Sequence, residues 1–149
     1  MLSKLKCAPT DSIKNVLIQL DQDPKKFVIC VDNSNHVIGV VTNYDIRKAF
    51  LENVYAGLKD DGRLMLAIEN RYDYKMFCGI RDPHTGTLFT TLVPRWLANV
   101  ISRVVRRRPY TPWIYSFSEL EQLLKSSGFS SVELHACWPD YRNPEHINK

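Results

Sequence analysis

Three polar residues of different chemistry follow one short apolar segment near the middle of the chain. Residues 63–68 are predicted to form a strand, and Glu69, Asn70 and Arg71 come directly after it. Ligands of open α/β sheets bind outside the carboxyl ends of the strands. An acid, an amide and a base at this point are therefore candidates for reactive groups. His84 is a candidate general base, because an imidazole titrates near neutral pH.

Each of these residues also has a purely structural interpretation. Asn70 and Arg71 fit a turn cap and a solvated base, and His84 fits an exposed loop histidine. Both interpretations stay open at the level of the sequence.

A second candidate site lies where a predicted strand meets a helix. Strand 36–42 ends at Thr42, and the helix that starts near Tyr44 carries Asp45 in its first turn. A hydroxyl and open amides at a helix start suit a phosphate, and a carboxylate accepts hydrogen bonds from a diol. The same two side chains also fit a helix cap and a first-turn acid.

The elements around this second site are predicted from local patterns. Apolar residues spaced as on one helix face predict a helix over 13–20, capped by Thr10 or Asp11. A continuous apolar run predicts a strand over 27–31 that is buried on both faces. Turn residues follow it, and strand 36–42 is predicted to return antiparallel to it.

This first third of the chain resembles a CBS repeat, the nucleotide-sensing module named after cystathionine β-synthase. The motif Gly-x-x-Thr-x-x-Asp from Gly39 to Asp45 carries the resemblance, together with the order of elements over about residues 3–53. The resemblance implies that Thr42 contacts the phosphate of an adenine nucleotide such as AMP or ATP, and that Asp45 contacts its ribose hydroxyls. CBS repeats work in pairs. A single repeat leaves one face of its sheet and helices uncovered, so a second chain is expected to supply the partner copy.

The remaining two thirds predict two more helices and a last strand. A long irregular connection over 71–91 leads to Pro94, which opens a helix at its favoured first position. The apolar face of this helix comprises Trp96, Leu97, Val100, Ile101, Val104 and Val105, and arginines close it. A linker over 110–115 precedes a helix that Ser116 or Ser118 caps and Gly128 ends. A strand is predicted over 131–138, followed by a loose polar tail.

This part resembles the C-terminal half of a class I methyltransferase dependent on S-adenosylmethionine, over about 54–142. Leu58 to Leu64 is similar to the family's turn into its fifth strand, and Ser116 to Val132 is similar to its last helix and the strand that follows. The blocks Glu69-Asn70-Arg71-Tyr72, Gly79, His84-Thr85-Gly86 and Pro94 to Asn99 together resemble methyltransferase-like proteins encoded among surface-polysaccharide genes. The resemblance implies that Glu69, Asn70, Arg71 and His84 line the substrate side. The family's cofactor loop and its first strands have no counterpart here, and the six glycines form no Gly-x-Gly.

Composition limits the other function classes. With 149 residues, 44% hydrophobic and 24% charged, the chain can bury one good core or two small ones. No apolar run reaches the roughly 18 to 20 residues of a membrane span, and Met1 to Cys7 lacks the apolar stretch of a secretory signal. We therefore expect a cytoplasmic protein with no membrane partner.

The cysteines and the charges identify no specific function. The four cysteines show no Cys-x-x-Cys spacing, so buried reduced thiols are expected and no metal site is predicted. The net charge of +4 does not argue for nucleic acid. Arg103 and the run Arg106 to Arg108 form either a solvated helix end or a contact for an anionic partner, such as a phosphorylated sugar or an acidic protein surface.

Together these patterns predict a composite α/β chain. A CBS-like βαββα unit over 1–53 is joined, inside a helix, to a truncated Rossmann-like methyltransferase half-sheet with flanking helices over 54–149. A homodimer is expected, because both parts expose sheet edges or apolar faces. The leading hypothesis is a non-catalytic binding or interaction protein with an adenine-nucleotide site. One alternative is a methyltransferase fragment that acts on a saccharide-type substrate only with a complementing partner chain. The other is a ligand-free remnant of a gene fusion.

Overall fold

The computed structural model is a mixed α/β structure, and it describes residues 6–22, 27–82 and 84–148. The chain divides into two compact units, Met1–Gly57 and Leu58–Lys149. We call them the N-terminal unit and the C-terminal unit.

The N-terminal unit follows the predicted order of strand, helix, strand, strand and helix. Its elements are β1 (Lys6–Cys7), α1 (Ile13–Gln22), β2 (Phe27–Val31), β3 (Val37–Thr42) and α2 (Asn43–Gly57). The sheet has the order β1-β2-β3, with β1 parallel and β3 antiparallel to β2. Helix α2 runs without a break through Asn53 and Val54, where the sequence places the joint between the two parts.

The turn between β2 and β3 explains the register of the hairpin. Asp32 Oδ1 accepts hydrogen bonds from the backbone N–H groups of Ser34 and His36, at 2.9 and 2.8 Å. Asn35 has φ 64°, a left-handed conformation that asparagine tolerates well. The predicted antiparallel pairing of the two strands is confirmed.

The core of the N-terminal unit lies on one face of its sheet. Cys7, Val16, Leu20 and Val28 are buried there, and Cys30, Val41 and Ile46 pack against them. The opposite face carries Ile29 and its neighbour Val40, which is 55% exposed. The prediction that β2 is buried on both faces is therefore wrong, because both helices pack on the same side.

The cap of α1 also differs from the prediction. Ser12, and neither Thr10 nor Asp11, accepts a hydrogen bond from the N–H of Asn15. The Asp11 carboxylate instead accepts from the N–H of Ala8 at 2.8 Å, which closes the preceding turn.

The C-terminal unit contains three helices and one small sheet within the described residues. They are α3 (Tyr74–Phe77), α4 (Arg95–Arg106), α5 (Phe117–Ser126), β4 (Ala136–Trp138) and β5 (His146–Asn148), with β4 and β5 antiparallel. Pro94 is the N-cap of α4. Ser116 caps α5 in a reciprocal capping box with Glu119, and Gly128, with φ 107°, follows its end as predicted.

Two predicted strands are wrong in whole or in part. Residues 63–68 form no strand, and Met65 is 95% exposed. Residues 131–135 are also irregular, so that only Ala136–Trp138 of that prediction forms a strand. A strand requires a neighbour to pair its backbone N–H and C=O groups, and the described residues provide none for 63–68. The tail predicted to be loose instead supplies β5, the partner of β4.

Helix α4 is amphipathic, but its packed side is not the predicted apolar face. Ala98 and Ser102 are the buried residues of this helix. Trp96 is 69% exposed and Val104 is 77% exposed. Small side chains permit close packing on their side. Four residues of the predicted apolar face, Trp96, Val100, Val104 and Val105, are more than half exposed, while Leu97 and Ile101 are partly buried.

Candidate functional site

In the N-terminal unit, the structure brings Thr42 and Asp45 together at the start of α2. The Asp45 carboxylate accepts hydrogen bonds from the backbone N–H of Thr42 at 2.9 Å and from its hydroxyl at 2.6 Å. The Thr42 hydroxyl oxygen in turn accepts from the N–H of Asp45 at 3.3 Å. This reciprocal pattern is a capping box.

Gly39 lies on β3, opposite Cys30. A Cβ atom at Gly39 would meet no atom within 4 Å, so packing within the described structure does not require glycine here. A hydroxyl and a carboxylate lie together at the start of the next helix. Such an arrangement can accept the diol of a ribose and donate to a phosphate.

In the C-terminal unit, the structure brings Glu69 and His84 together. His84 Nε2 lies 2.5 Å from Glu69 Oε2, although the two residues are well separated in the chain. Arg142 Nη2 lies 3.6 Å from the other carboxylate oxygen of Glu69. The backbone N–H of His84 donates to Asp82 Oδ1 at 2.8 Å, which fixes the loop that carries the imidazole. A carboxylate that holds one ring nitrogen orients an imidazole for proton transfer at the other.

The other two residues predicted for the substrate side make hydrogen bonds within the C-terminal unit. Asn70 Oδ1 accepts from the N–H of Tyr72 at 2.9 Å, which is the turn cap considered in the sequence analysis. Arg71 is not a solvated base: it donates to Glu119 Oε1 at 3.1 Å and to the carbonyl of Ile114 at 3.2 Å. These contacts connect the segment after residue 69 to the start of α5.

The electrostatics of that contact favour the ionised form of Glu119. Burial pushes the pKa of Glu119 upward, but hydrogen bonds from Ser116 and the positive charge of Arg71 outweigh burial. The net result is a pKa below the ordinary value.

The sequence does not predict the buried network of hydroxyl groups around Asp82. Asp82 is 1% exposed, and its Oδ2 accepts from the hydroxyls of Thr85 at 2.7 Å and Thr90 at 3.4 Å. The Thr87 hydroxyl lies 2.6 Å from that of Thr85 and 2.8 Å from that of Thr90. The only signal in the sequence was a run of threonines after an Asp-Pro turn, and such a run does not specify burial.

A small cavity adjoins this network. Its volume is about 20 Å³, and its lining includes Arg71, Thr91, Arg95 and Tyr110. A water needs roughly 10 to 15 Å³ on this measure, so the cavity holds about one water and neither a nucleotide nor S-adenosylmethionine. Burial, and then the charge of Asp82, raise the pKa of Tyr110 to about 12.

The segment predicted to be a linker forms one wall of this cavity. Arg95 donates to the carbonyls of Pro112 at 2.7 Å and Tyr110 at 3.4 Å. Its guanidinium also lies 4.2 Å from the centroid of the Trp113 ring, within the range of a cation–π contact. Residues 110–115 are therefore packed against the start of α4.

The cysteines are free thiols, as predicted, but they are not all buried. Cys7 is buried, Cys30 and Cys137 are partly buried, and Cys78 is exposed. Burial and the neighbouring Cys30 raise the pKa of Cys7 to about 11.

Within the described ranges, no group of three or more His, Cys, Asp or Glu side chains is arranged to hold a metal ion. Nor does any helix in the described part of the chain have the length and apolar character needed to cross a bilayer.

No protein-family model, curated protein or solved structure matches this chain. The resemblances to CBS repeats and to class I methyltransferases therefore rest on sequence motifs alone.

Proposed function

We propose that this chain is a non-catalytic binding and interaction protein. Its N-terminal unit is a CBS-like repeat that pairs with a second copy and takes an adenine nucleotide, AMP or ATP, at Thr42 and Asp45. The observation that carries this proposal is the exposed apolar edge of the N-terminal sheet.

Strand β3 forms one edge of that sheet and presents apolar side chains to solvent. Val37, Ile38 and Val40 are each more than half exposed. An edge strand with an apolar surface is a template for pairing with another strand. A second copy fits this role, because an antiparallel pair of identical edges is self-complementary about a two-fold axis.

The nucleotide part of the proposal rests on the Gly39-to-Asp45 motif and on the chemistry of the cap. In the free protein, the Thr42 hydroxyl donates to Asp45 at 2.6 Å. A ribose diol would replace that hydroxyl as the donor to the carboxylate. The Thr42 hydroxyl would then be released to donate to a phosphate oxygen at the start of α2.

Self-association is tested by the solution mass of the full chain and a Val40→Glu variant. We expect the wild type to have twice the chain mass and the variant to be a monomer. Val104→Glu is the matched control, because it makes the same change at an exposed valine of the C-terminal unit. A monomeric wild type, or a Val40→Glu variant that remains dimeric, refutes the pairing.

Nucleotide binding is tested by calorimetry with AMP, ATP and S-adenosylmethionine. We expect Asp45→Ala to abolish the binding of AMP or ATP. Glu119→Ala is the matched control, because Glu119 holds the same position in the other reciprocal cap. It should bind nucleotide like the wild type, even if each cap loss costs about 1 kcal/mol of stability. Absence of nucleotide binding by the wild type, or equal binding by Asp45→Ala, refutes this part. A monomer that binds no nucleotide favours the ligand-free remnant.

A second candidate function rests on the contact between Glu69 and His84. The chain would then be the substrate-side half of a methyltransferase whose cofactor loop is supplied by a partner chain. Glu69 occupies Nε2 of His84, so Nδ1 would take the proton of a saccharide hydroxyl. This candidate predicts methyl transfer from S-adenosylmethionine only when such a partner is added, and loss of transfer in His84→Gln. Inactivity with partners that carry a glycine-rich loop, while the protein remains folded, argues against it.

A further inference from the structure

Helix α4 presents apolar side chains to solvent, and its charged residues are all arginines. Trp96, Val100 and Val104 follow one another at intervals of four residues, so they lie in one row along the helix. Leu97, Ile101 and Val105 form the adjacent row. Trp96, Val100, Val104 and Val105 are all more than half exposed.

The other side of α4 is anchored within its own unit. Ala98 and Ser102 are fully buried, and the Ser102 hydroxyl donates to the carbonyl of Arg108 at 2.9 Å. Asn99 Oδ1 accepts from the N–H of Tyr110 at 3.1 Å. These contacts hold the side of α4 with small residues against its own unit. The apolar side chains on the other side therefore point outward.

The charged residues of α4 and of the chain on either side of it have one sign. Acidic residues are absent from the sequence between Asp82 and Glu119, and the same stretch holds five arginines. Four of them, Arg103 and Arg106 to Arg108, lie in the last turn of α4 or directly after it. A self-paired α4 would bring arginines together without a carboxylate from the same stretch to oppose them. The occupant of this face is therefore expected to be anionic.

We propose that α4 is a docking helix for an anionic lipid surface. A helix with a wide apolar face, a tryptophan and flanking arginines lies in the interface of a bilayer, with its apolar side chains among the acyl chains and its cations at the headgroups. Its twelve residues, about 18 Å in length, lie along the surface and do not span it. The expectation of no membrane partner rested on spanning segments alone, so it does not bear on this mode of binding. This inference is independent of the proposed nucleotide site and of the β3 edge.

Vesicle flotation with the full chain tests the proposal. Two vesicle compositions are compared: phosphatidylcholine alone, and equal parts of phosphatidylcholine and phosphatidylglycerol. We expect binding to the anionic vesicles only, weakening as salt is added. Each arginine near an anionic surface contributes about fivefold in affinity, so Arg103→Gln with Arg108→Gln should weaken binding about 25-fold.

Two matched variants separate this surface from the rest of the protein. Val104→Glu places a carboxylate in the apolar face and should abolish flotation, while Met65→Glu, at a 95% exposed position of the same unit, should leave it unchanged. Circular dichroism checks that both variants keep their helices. Five results overturn the proposal: equal binding to both kinds of vesicle, no binding to either, flotation of Val104→Glu like the wild type, tighter binding to soluble polyglutamate than to anionic vesicles, or loss of dimer mass in Val104→Glu. The polyglutamate result points to an acidic protein, and the loss of dimer mass points to a second copy.

Discussion

The buried carboxylate of Asp82 is expected to hold the loop that carries His84. Removal of this carboxylate, in Asp82→Ala, takes away two short hydrogen bonds, from the Thr85 hydroxyl at 2.7 Å and from the N–H of His84 at 2.8 Å. A hydrogen bond to an ionised group contributes about 1.5 to 3 kcal/mol. The threonine hydroxyls can still bond to one another, so we expect a loss of about 3 kcal/mol in the C-terminal unit.

Urea unfolding followed by tryptophan fluorescence measures this loss. Trp96, Trp113 and Trp138 all belong to the C-terminal unit, so the signal reports that unit alone. With an m-value of about 2 kcal/mol per molar, a loss of about 3 kcal/mol lowers the midpoint by about 1.5 M. Asp61→Ala is the matched control, since it removes an exposed aspartate of the same unit and should change stability by less than about 0.5 kcal/mol.

Asp82→Asn distinguishes the contacts from the charge. The amide oxygen can accept from the N–H of His84, and the amide nitrogen can donate to the Thr85 hydroxyl, so we expect a cost of only about 1 kcal/mol. A midpoint for Asp82→Ala equal to that of the wild type would refute the reasoning. If the asparagine variant is as unstable as the alanine variant, the charge and not the set of contacts is what matters.

Three further predictions concern titration and reactivity. The pKa of Tyr110 is about 12 in the folded protein and near 10 in the unfolded chain. The contribution of Tyr110 to the stability of the C-terminal unit should therefore be constant below pH 10 and fall by about 2 to 3 kcal/mol between pH 10 and pH 12. Urea midpoints measured across that window should fall less in Tyr110→Phe, and equal slopes would contradict the assignment. The lowered pKa of Glu119 gives stability that is present above its ordinary pKa of 4.5 and is lost as the pH falls through the lowered value. Glu119→Gln should therefore show a shallower acid transition, and an unchanged one would speak against this contribution. Iodoacetamide should modify the exposed Cys78 first and the buried Cys7 last, because burial raises the pKa of Cys7 to about 11. Peptide mass mapping measures the order of modification, and early modification of Cys7 would disprove its burial.

Elements specified by local chemistry could be predicted from the sequence. The hairpin of β2 and β3 depends on the Asp32 turn, and α5 depends on the Ser116 and Glu119 capping box. In both, the residues that decide the structure lie within a few positions of one another. A single sequence is informative about interactions between residues that lie this close together in the chain.

Features that depend on distant neighbours could not be predicted in the same way. Residues 63–68 have the composition of a strand, but a strand forms only when another segment pairs with it. The apolar face of α4 was identified correctly, yet its periodicity does not say which side packs. At the candidate site, Glu69, Asn70, Arg71 and His84 are predicted on one side of a cleft, but the sequence does not predict that Glu69 contacts His84 across an irregular loop.

The two exposed apolar surfaces differ in charge, and this difference separates their proposed partners. The β3 edge needs only a matching apolar edge, so added salt should leave the contact between copies intact or strengthen it. The α4 face combines apolar contact with arginines that must find counter-charges, so salt should weaken its attachment. A chain that remains dimeric in salt while it leaves anionic vesicles would show that the two surfaces act independently. A chain that loses both contacts together would contradict the apolar pairing proposed for the β3 edge.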